Sequence, residues 1–392
     1  MDIQSKAKKL IEMIQTAPVE WKPLGEVAEI GTGSSNRQDE EHDGEYPFYV
    51  RSKNILRSST YQFNETAIII PGEGGIGDIF HYAEGKYALH QRAYRVHVVI
   101  PDLSPKFLYY FMNVDFKRYI QAKSVGATAT SIRKPMLQRF PIPIPPLEIQ
   151  QKIVKILDKF TELEATLEAE LALRKRQYRY YRDFLLDFDN QIGGGIADGY
   201  QCRLKDVVWK TLGEVAEYSK NRICSDKLNE HNYVGVDNLL QNREGKKLSG
   251  YVPSEGKMTE YIVNDILIGN IRPYLKKIWQ ADCTGGTNGD VLVIRITDEK
   301  VNPKYLYQVL ADDKFFAFNM KHAKGAKMPR GSKTAIMQYK IPIPPLPEQE
   351  KIVAILDKFD TLTHSVSEGL PHEIALRRKQ YEYYREQLLA FR

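Results

Sequence analysis

The sequence predicts an α+β chain: two globular mixed α/β domains in a pseudo-two-fold arrangement, separated by two long antiparallel helices that form an intramolecular coiled coil. Three observations carry this. A proline-rich lead-in occurs twice, Ile142-Pro143-Ile144-Pro145-Pro146-Leu147 returning as Ile341-Pro342-Ile343-Pro344-Pro345-Leu346. The match runs on into a charged, apolar-striped helix, where Lys152-Ile153-Val154 and Ile156-Leu157-Asp158-Lys159-Phe160 return 199 residues later as Lys351-Ile352-Val353 and Ile355-Leu356-Asp357-Lys358-Phe359. The region ahead of each lead-in opens alike: Trp21-Lys22 and Leu24-Gly25-Glu26-Val27-Ala28-Glu29 recur as Trp209-Lys210 and Leu212-Gly213-Glu214-Val215-Ala216-Glu217. A repeat on this scale makes the 392 residues two half-molecules. It sets a first domain at 1–146, a central helix at 147–190, a second domain at 191–345 and a closing helix at 346–392.

Taken in order, residues 3–15 place Leu10, Ile11 and Ile14 among lysines, a short amphipathic helix stopped near Pro18. From Trp21 to Phe140, β-like runs such as Ala67-Ile68-Ile69-Ile70 and Tyr94 to Ile100 alternate with Gly, Ser and Asn punctuation. One helix interrupts them at Pro105-Lys106-Phe107-Leu108-Tyr109, and its counterpart is Pro303-Lys304-Tyr305-Leu306-Tyr307. The two globular parts therefore share a topology.

From Leu147 to Phe188 there is neither Gly nor Pro, which permits a rod of about 60 Å at about 1.5 Å per residue. Ile153, Ile156, Phe160, Leu163, Leu167 and Leu171 step by 3, 4, 3, 4 and 4, and the second copy steps identically. That is a coiled-coil seam with a stutter. Beyond Leu163 the match resumes at a spacing of 203, so the second copy has gained four residues. Gly369 and Pro371 fall there and should kink or interrupt that helix. Gly193-Gly194-Gly195 is a flexible join. By the symmetry of the repeat, Phe391 belongs near the N-terminus.

Lys+Arg 56 against Asp+Glu 50 gives a net +6, an excess that permits nucleic acid without requiring it. Cys202, Cys224 and Cys283 are far apart and lack metal-ligand spacing, as expected of cytosolic free thiols. With no signal-peptide core and no apolar run of the roughly 18 residues a membrane span needs, a cytoplasmic protein is expected.

Gly72-Glu73-Gly74-Gly75-Ile76-Gly77 matches the glycine spacing of dinucleotide-binding loops. No amphipathic helix follows it, and a plain β-turn loop accounts for the same residues. Asp102 with Asp115-Phe116-Lys117 imitates a metal-dependent nuclease pattern, but Asp115 falls on the helix that begins near Pro105. No HExxH, P-loop or Gly-x-Ser-x-Gly elbow is present, and no catalytic constellation or metal site survives.

Polar-basic clusters remain. The first domain carries Arg51, Lys53 and Asn54 with Arg57, then Gln91-Arg92, then Arg133-Lys134. The second carries Asn221-Arg222, Asn270 and Arg272 with Lys276-Lys277, and Lys324, Lys327, Arg330 and Lys333 in a stretch without acids. Such side chains neutralise phosphates, and as Arg, Asn or Gln bond guanine or adenine edges, although each alone also reads as a solvated surface group. At the helix ends, Tyr178, Tyr180 and Tyr181 with their repeats Tyr381, Tyr383 and Tyr384 sit among arginines. The cluster reads either as core packing at the rod's end or as a partner-docking face; adjacent tyrosines cannot all face one seam, and all six are expected at a docking face.

Two diverged halves, each followed by an Ile-Pro-Ile-Pro-Pro-Leu lead-in and a long repeated helix, resemble the specificity subunit of type I restriction-modification enzymes across essentially the whole chain. Its most specific pieces are Ile341 through Pro347-Glu348-Gln349 and the Leu-Gly-Glu-Val-Ala-Glu openings. The first copy departs in having Ile149 where the second has Glu348. The resemblance implies two target-recognition domains, each reading one part of a split double-stranded DNA sequence, and a helical spacer that sets the gap and docks two modification (methyltransferase) subunits. Restriction/translocase subunits complete such assemblies. S-adenosylmethionine, ATP and Mg²⁺ then belong to the partners and no cofactor to this chain, which does no chemistry itself. A restriction system whose partner fuses methylase and nuclease fits the same chain. From another class, a free-standing enzyme would use the Gly72–Gly77 loop.

Overall fold

The computed structural model describes residues 3–75, 77–123, 131–188, 207–365 and 367–391; the Gly193–Gly195 join, Cys202, Met1 and Arg392 lie outside them. By internal contact the chain forms two compact units, Met1–Glu168 with Ile374–Arg392, and Ala169–Glu373.

In the first unit, helix α1 (Ile3–Thr16) buries Ala7, Leu10 and Ile14, spaced by three and four. Strand β1 (Glu20–Pro23), helix α2 (Leu24–Val27) and strand β2 (Ala28–Thr32) follow. A six-stranded sheet then forms from β2, β3 (Tyr46–Tyr49), β4 (Leu56–Ser58), β5 (Phe63–Pro71), β6 (His81–Leu89) and β7 (Ala93–Val98), in the order β2-β7-β5-β6-β3-β4. Only the β3–β6 pair is parallel. The apolar run of β5 splits by parity: Ile68 and Ile70 join the main core while Ala67 and Ile69 join a second one, so the strand is buried on both faces. Helix α3 (Pro105–Lys123) adds Phe107, Phe111 and Phe116 to the main core. Helix α4 (Lys134–Gln138) leads into strand β8 (Pro141–Ile144).

Strand β8 pairs antiparallel with β1, setting Trp21 opposite Pro143. In the second unit, β9 (Val208–Thr211) pairs with β17 (Lys340–Ile343), setting Trp209 opposite Pro342. The repeated Trp-Lys and Ile-Pro-Ile-Pro segments are thus the first and last strands of each domain. A two-stranded ribbon tolerates the proline's missing N–H, which a central strand would not. Between β9 and β17 lie helix α6 (Leu212–Val215) and strands β10 (Ala216–Tyr218), β11 (Arg222–Cys224), β12 (Lys257–Tyr261), β13 (Ile266–Gly269), β14 (Ile278–Gln280), β15 (Gly285–Thr287) and β16 (Val291–Ile296). Helices α7 (Pro303–Leu310), α8 (Asp313–Lys321) and α9 (Lys333–Met337) follow. The sheet order β10-β16-β13-β14 matches β2-β7-β5-β6 of the first unit, whereas β11-β12-β15 forms a separate sheet. Shared topology with diverged additions is what the sequence predicts.

Helix α5 (Leu147–Leu186) contributes to both units, and the closing segment divides into α10 (Leu346–His364) and α11 (Leu370–Leu388). Within the first unit, Phe160 stacks on Tyr384 with ring centroids 5.6 Å apart, and farther along α5 both Glu164 and Glu168 accept from Arg378 at 2.5 Å. Within the second unit, Tyr178 meets His364 and Tyr181 stacks on Phe359. Rising numbers on α5 meet falling numbers on its partner in each unit, so both pairings are antiparallel. Of the predicted seam, Ile153, Ile156 and Phe160 are buried, but Leu163, Leu167 and Leu171 are only half-buried. Gly369 marks the break between α10 and α11, where a Cβ would come within 2.3 Å of the Thr361 carbonyl oxygen, and Pro371 occupies the first turn of α11, where its missing N–H costs nothing. At the chain's end, Leu388 and Leu389 share the core of Ala7, Leu10 and Ile14, and Phe391 packs edge-on against Phe107 at 5.7 Å.

Candidate nucleic-acid interface

In the first unit the glycine-rich loop organises the basic residues. After β5 the backbone turns with positive φ at Gly74, Gly75 and Gly77, and the next element is strand β6 rather than the helix a dinucleotide loop requires. Gly72 is pinned between two chain segments, donating to the Arg92 carbonyl at 2.9 Å and accepting from Ile132 N–H at 2.8 Å. A side chain there would meet Arg92 O at 2.8 Å. The loop thereby presents Glu73, whose carboxylate accepts from Arg51 at 2.8 Å and Arg92 at 3.1 Å. Burial, then the charges of Arg51 and Arg92, hold the His90 pKa below its ordinary value. Its Nδ1 accepts from the Arg92 N–H, consistent with a neutral ring. Gln91 donates to Asn36 at 2.5 Å. A cleft of about 280 Å³ is lined by Arg37, Arg51, Ser52, Glu73, Gly74 and His90.

Five loops thus converge, bringing together Arg51, Gln91 and Arg92. Lys53 and Asn54 are exposed beyond Arg51, and Arg133 and Lys134 are exposed at the start of α4. Arg57, on β4, turns to the Glu45 carbonyl.

In the second unit the 270–272 segment pairs with the 324–331 excursion. Arg272 N–H donates to the Pro329 carbonyl, Gly331 N–H to the Asn270 carbonyl, and Lys324 and Arg330 exchange backbone hydrogen bonds that close a loop carrying Lys327. Arg272, Lys324, Lys327, Arg330 and Lys333 are exposed, with Arg330 braced on Asp290 at 2.9 Å. Three of the residues expected at the interface are spent elsewhere. Asn270 is 6% exposed, its side chain enclosed beside Asn319 and Gly331. Lys277 donates to the Val236 carbonyl at 2.6 Å, and burial lowers its pKa. Lys276 joins Arg243 on Asp313, at 2.8 and 2.6 Å. Asn221 and Arg222 are exposed on a strand edge, where Arg222 donates to the Thr259 hydroxyl.

The six tyrosines divide. Tyr178 and Tyr384 are buried, while Tyr181 and Tyr381 are half-buried against the facing helix. Only Tyr180 and Tyr383 face outward, at 60% and 58% exposed. Residues three and four apart share a helix face and neighbours do not, so of the six expected at a docking face only this repeat-related pair presents an exposed ring.

Gln150 and Gln349, one turn inside α5 and α10, have a role that the sequence motif did not disclose. Both are fully buried. Gln150 donates to the carbonyls of Asp102 and Pro145 and accepts from Ser104 N–H, all at 2.8 Å. Gln349 repeats this with Lys300, Pro344 and Asn302 at 2.9, 2.7 and 2.8 Å. The signal was a Gln at the same place in both Pro-Pro-Leu segments. The nuclease-like residues do not converge: Lys117 bonds Asp78 at 2.6 Å, and Asp115 lies 3.6 Å from Arg118 on its own helix.

Repeated halves with paired helices and exposed basic loops on each domain are the features of a recognition protein. The family model for the type I restriction modification DNA specificity domain matches residues 18–173 and again 205–376. The chain therefore belongs to the type I restriction-modification DNA specificity family, as a non-catalytic specificity subunit. It is 29% identical to the EcoR124I/EcoR124II specificity subunit of Escherichia coli, over 100% of this chain and 98% of that protein. It is 32% identical to a putative type I restriction enzyme specificity subunit of Haemophilus influenzae, over 97% and 98%. In fold it is similar to the type I S subunit from M. genitalium, with a TM-score of 0.61 at 17% identity, covering 96% of this chain and 97% of that one. Among the described residues, no helix is long and apolar enough to cross a membrane.

Proposed function

We propose that the chain reads a bipartite, asymmetric double-stranded DNA target, one half-site per domain, and that its helices fix the spacer while docking two modification subunits, which restriction subunits then join. S-adenosylmethionine, ATP and Mg²⁺ act in those partners. The observation that carries the reading is the convergence of Arg51 and Arg92 on Glu73, with Gln91 beside them held by Asn36. A guanidinium held at its back by a carboxylate is oriented at little entropic cost for bidentate contact with guanine or phosphate. The second domain offers its cations on unrelated loops, as two different half-sites require. Tyr180 and Tyr383, equivalent in the repeat and both exposed, are the anchors we assign to the two modification subunits.

Exchanging residues 21–140 for those of a relative, in the chain assembled with its modification partners, should change one half of the methylated sequence and leave the other. A change in both halves would overturn independent readout.

A further inference from the structure

We infer that the cavity walled by the last turns of α5, by α10 and by the 242–244 loop within the second unit is a binding site for a phosphoryl oxyanion. The cavity holds about 470 Å³. Lys175, Arg179 and Arg182 enter it from one face of α5, spaced by four and three residues. None of the three is engaged in an ion pair among the described residues. Arg182 is 5% exposed and stands over the Tyr178 ring at 5.6 Å, and its Nε–H has no hydrogen-bond acceptor. A buried guanidinium with an open donor is costly unless an anion completes it.

The opposite wall adds Arg243 and Lys276, non-glycine residues held at φ of 69° and 51°, a strained backbone of the kind that collects at binding sites. The acids nearby are largely occupied. Asp313 carries both of those cations, and Asp360 pairs with His364 at 3.1 Å. Five Lys and Arg against Glu244, Asp313 and Asp360 leave the lining cationic.

The repeat supplies an internal control. Lys175, Arg179 and Arg182 correspond to Arg378, Glu382 and Arg385. Arg385 likewise stands over Tyr381, at 5.4 Å, with its Nε unpartnered, so a guanidinium on a tyrosine is shared architecture. The surplus charge is not shared: Arg378 is neutralised by Glu164 and Glu168, and an acid replaces Arg179. Of the two repeat-related helix ends, the one in the second unit therefore has the forked and point cations that together grip a phosphoryl group.

Pyrophosphate titrated calorimetrically into the full chain at low salt should bind saturably at one site. Arg179→Glu, an exposed position given the residue its repeat already has, should weaken binding about tenfold or more with an unchanged thermal melt. Arg378→Ala, in the other unit, should leave it intact. A competing non-target duplex separates the sources. Displacement of pyrophosphate by the duplex, with a shallower salt dependence of duplex binding in Arg179→Glu, assigns the site to the DNA backbone; no displacement assigns it to a free phosphate-bearing anion. Absence of saturable pyrophosphate binding, or binding that Arg179→Glu leaves unchanged, overturns the inference.

Discussion

Gln150 and Gln349 show how a single side chain joins lead-in, domain and helix. Each satisfies two carbonyls and one N–H that the turn into the helix would otherwise strand. Truncating Gln349 to alanine should cost about 3 kcal/mol, since buried polar groups left unpaired lose their full desolvation penalty. Denaturant unfolding measures this, and an unchanged midpoint would remove the clamp from the account. Asp313 allows a pH test. Burial alone would raise its carboxyl, but hydrogen bonds from Lys276 and Arg243 outweigh burial and hold it at about 2. A depressed carboxylate stabilises the fold above its unfolded pKa of about 4 and loses that contribution as pH falls toward the folded value. The stability gap between wild type and Asp313→Asn should therefore be full at neutral pH and close between about pH 4 and 2. A gap independent of pH would contradict it. Asn270, Lys276 and Lys277 mark the limit of reading residues from sequence, where they look like surface polar groups. Their fate was set by left-handed turns at Arg272 and Lys276 and by acceptors at Val236 and Asp313, which are far away in the chain.

At the scale of elements, the helix pair was the most legible part of the chain. Its heptad-like steps, the absence of Gly and Pro in α5, and Gly369 with Pro371 between α10 and α11 are all local signals. The rotation of each helix about its axis was not, because it depends on what the facing surface offers. The Tyr-Tyr pairs accordingly split, Tyr384 stacking on Phe160 while Tyr383 faces outward. Tyr384→Ala should destabilise the chain by about 3 kcal/mol, as expected for removing a buried aromatic ring. Tyr383→Ala and Tyr180→Ala should leave the melt unchanged and weaken recruitment of modification subunits, read by co-purification. If the outward tyrosines changed stability but not recruitment, they would be packing residues and not docking anchors. Four strands of each sheet were foreshadowed by the repeat, whereas β11-β12-β15 was not, since diverged insertions carry no internal reference.

At the scale of the whole molecule, both units close with the same first and last strands while their basic loops differ, which suits equal partners on unequal half-sites. If the helices are a ruler, shortening one should move the gap and spare the bases read. Deleting Glu164 to Leu167 is the suitable cut: Leu163 and Leu171 then stand four apart, so the apolar stripe keeps its step. Arg378 keeps Glu168 as a partner where it loses Glu164. Four residues shorten the rod by about 6 Å, on the order of two base-pair steps at roughly 3.4 Å each. Mapping methylated adenines in cells that carry the deletion should show both half-sites preserved across a changed spacer. Loss of the half-sites from a chain that still folds would mean that the helices position the recognition loops themselves, and a spacing that did not move would place the ruler elsewhere in the assembly.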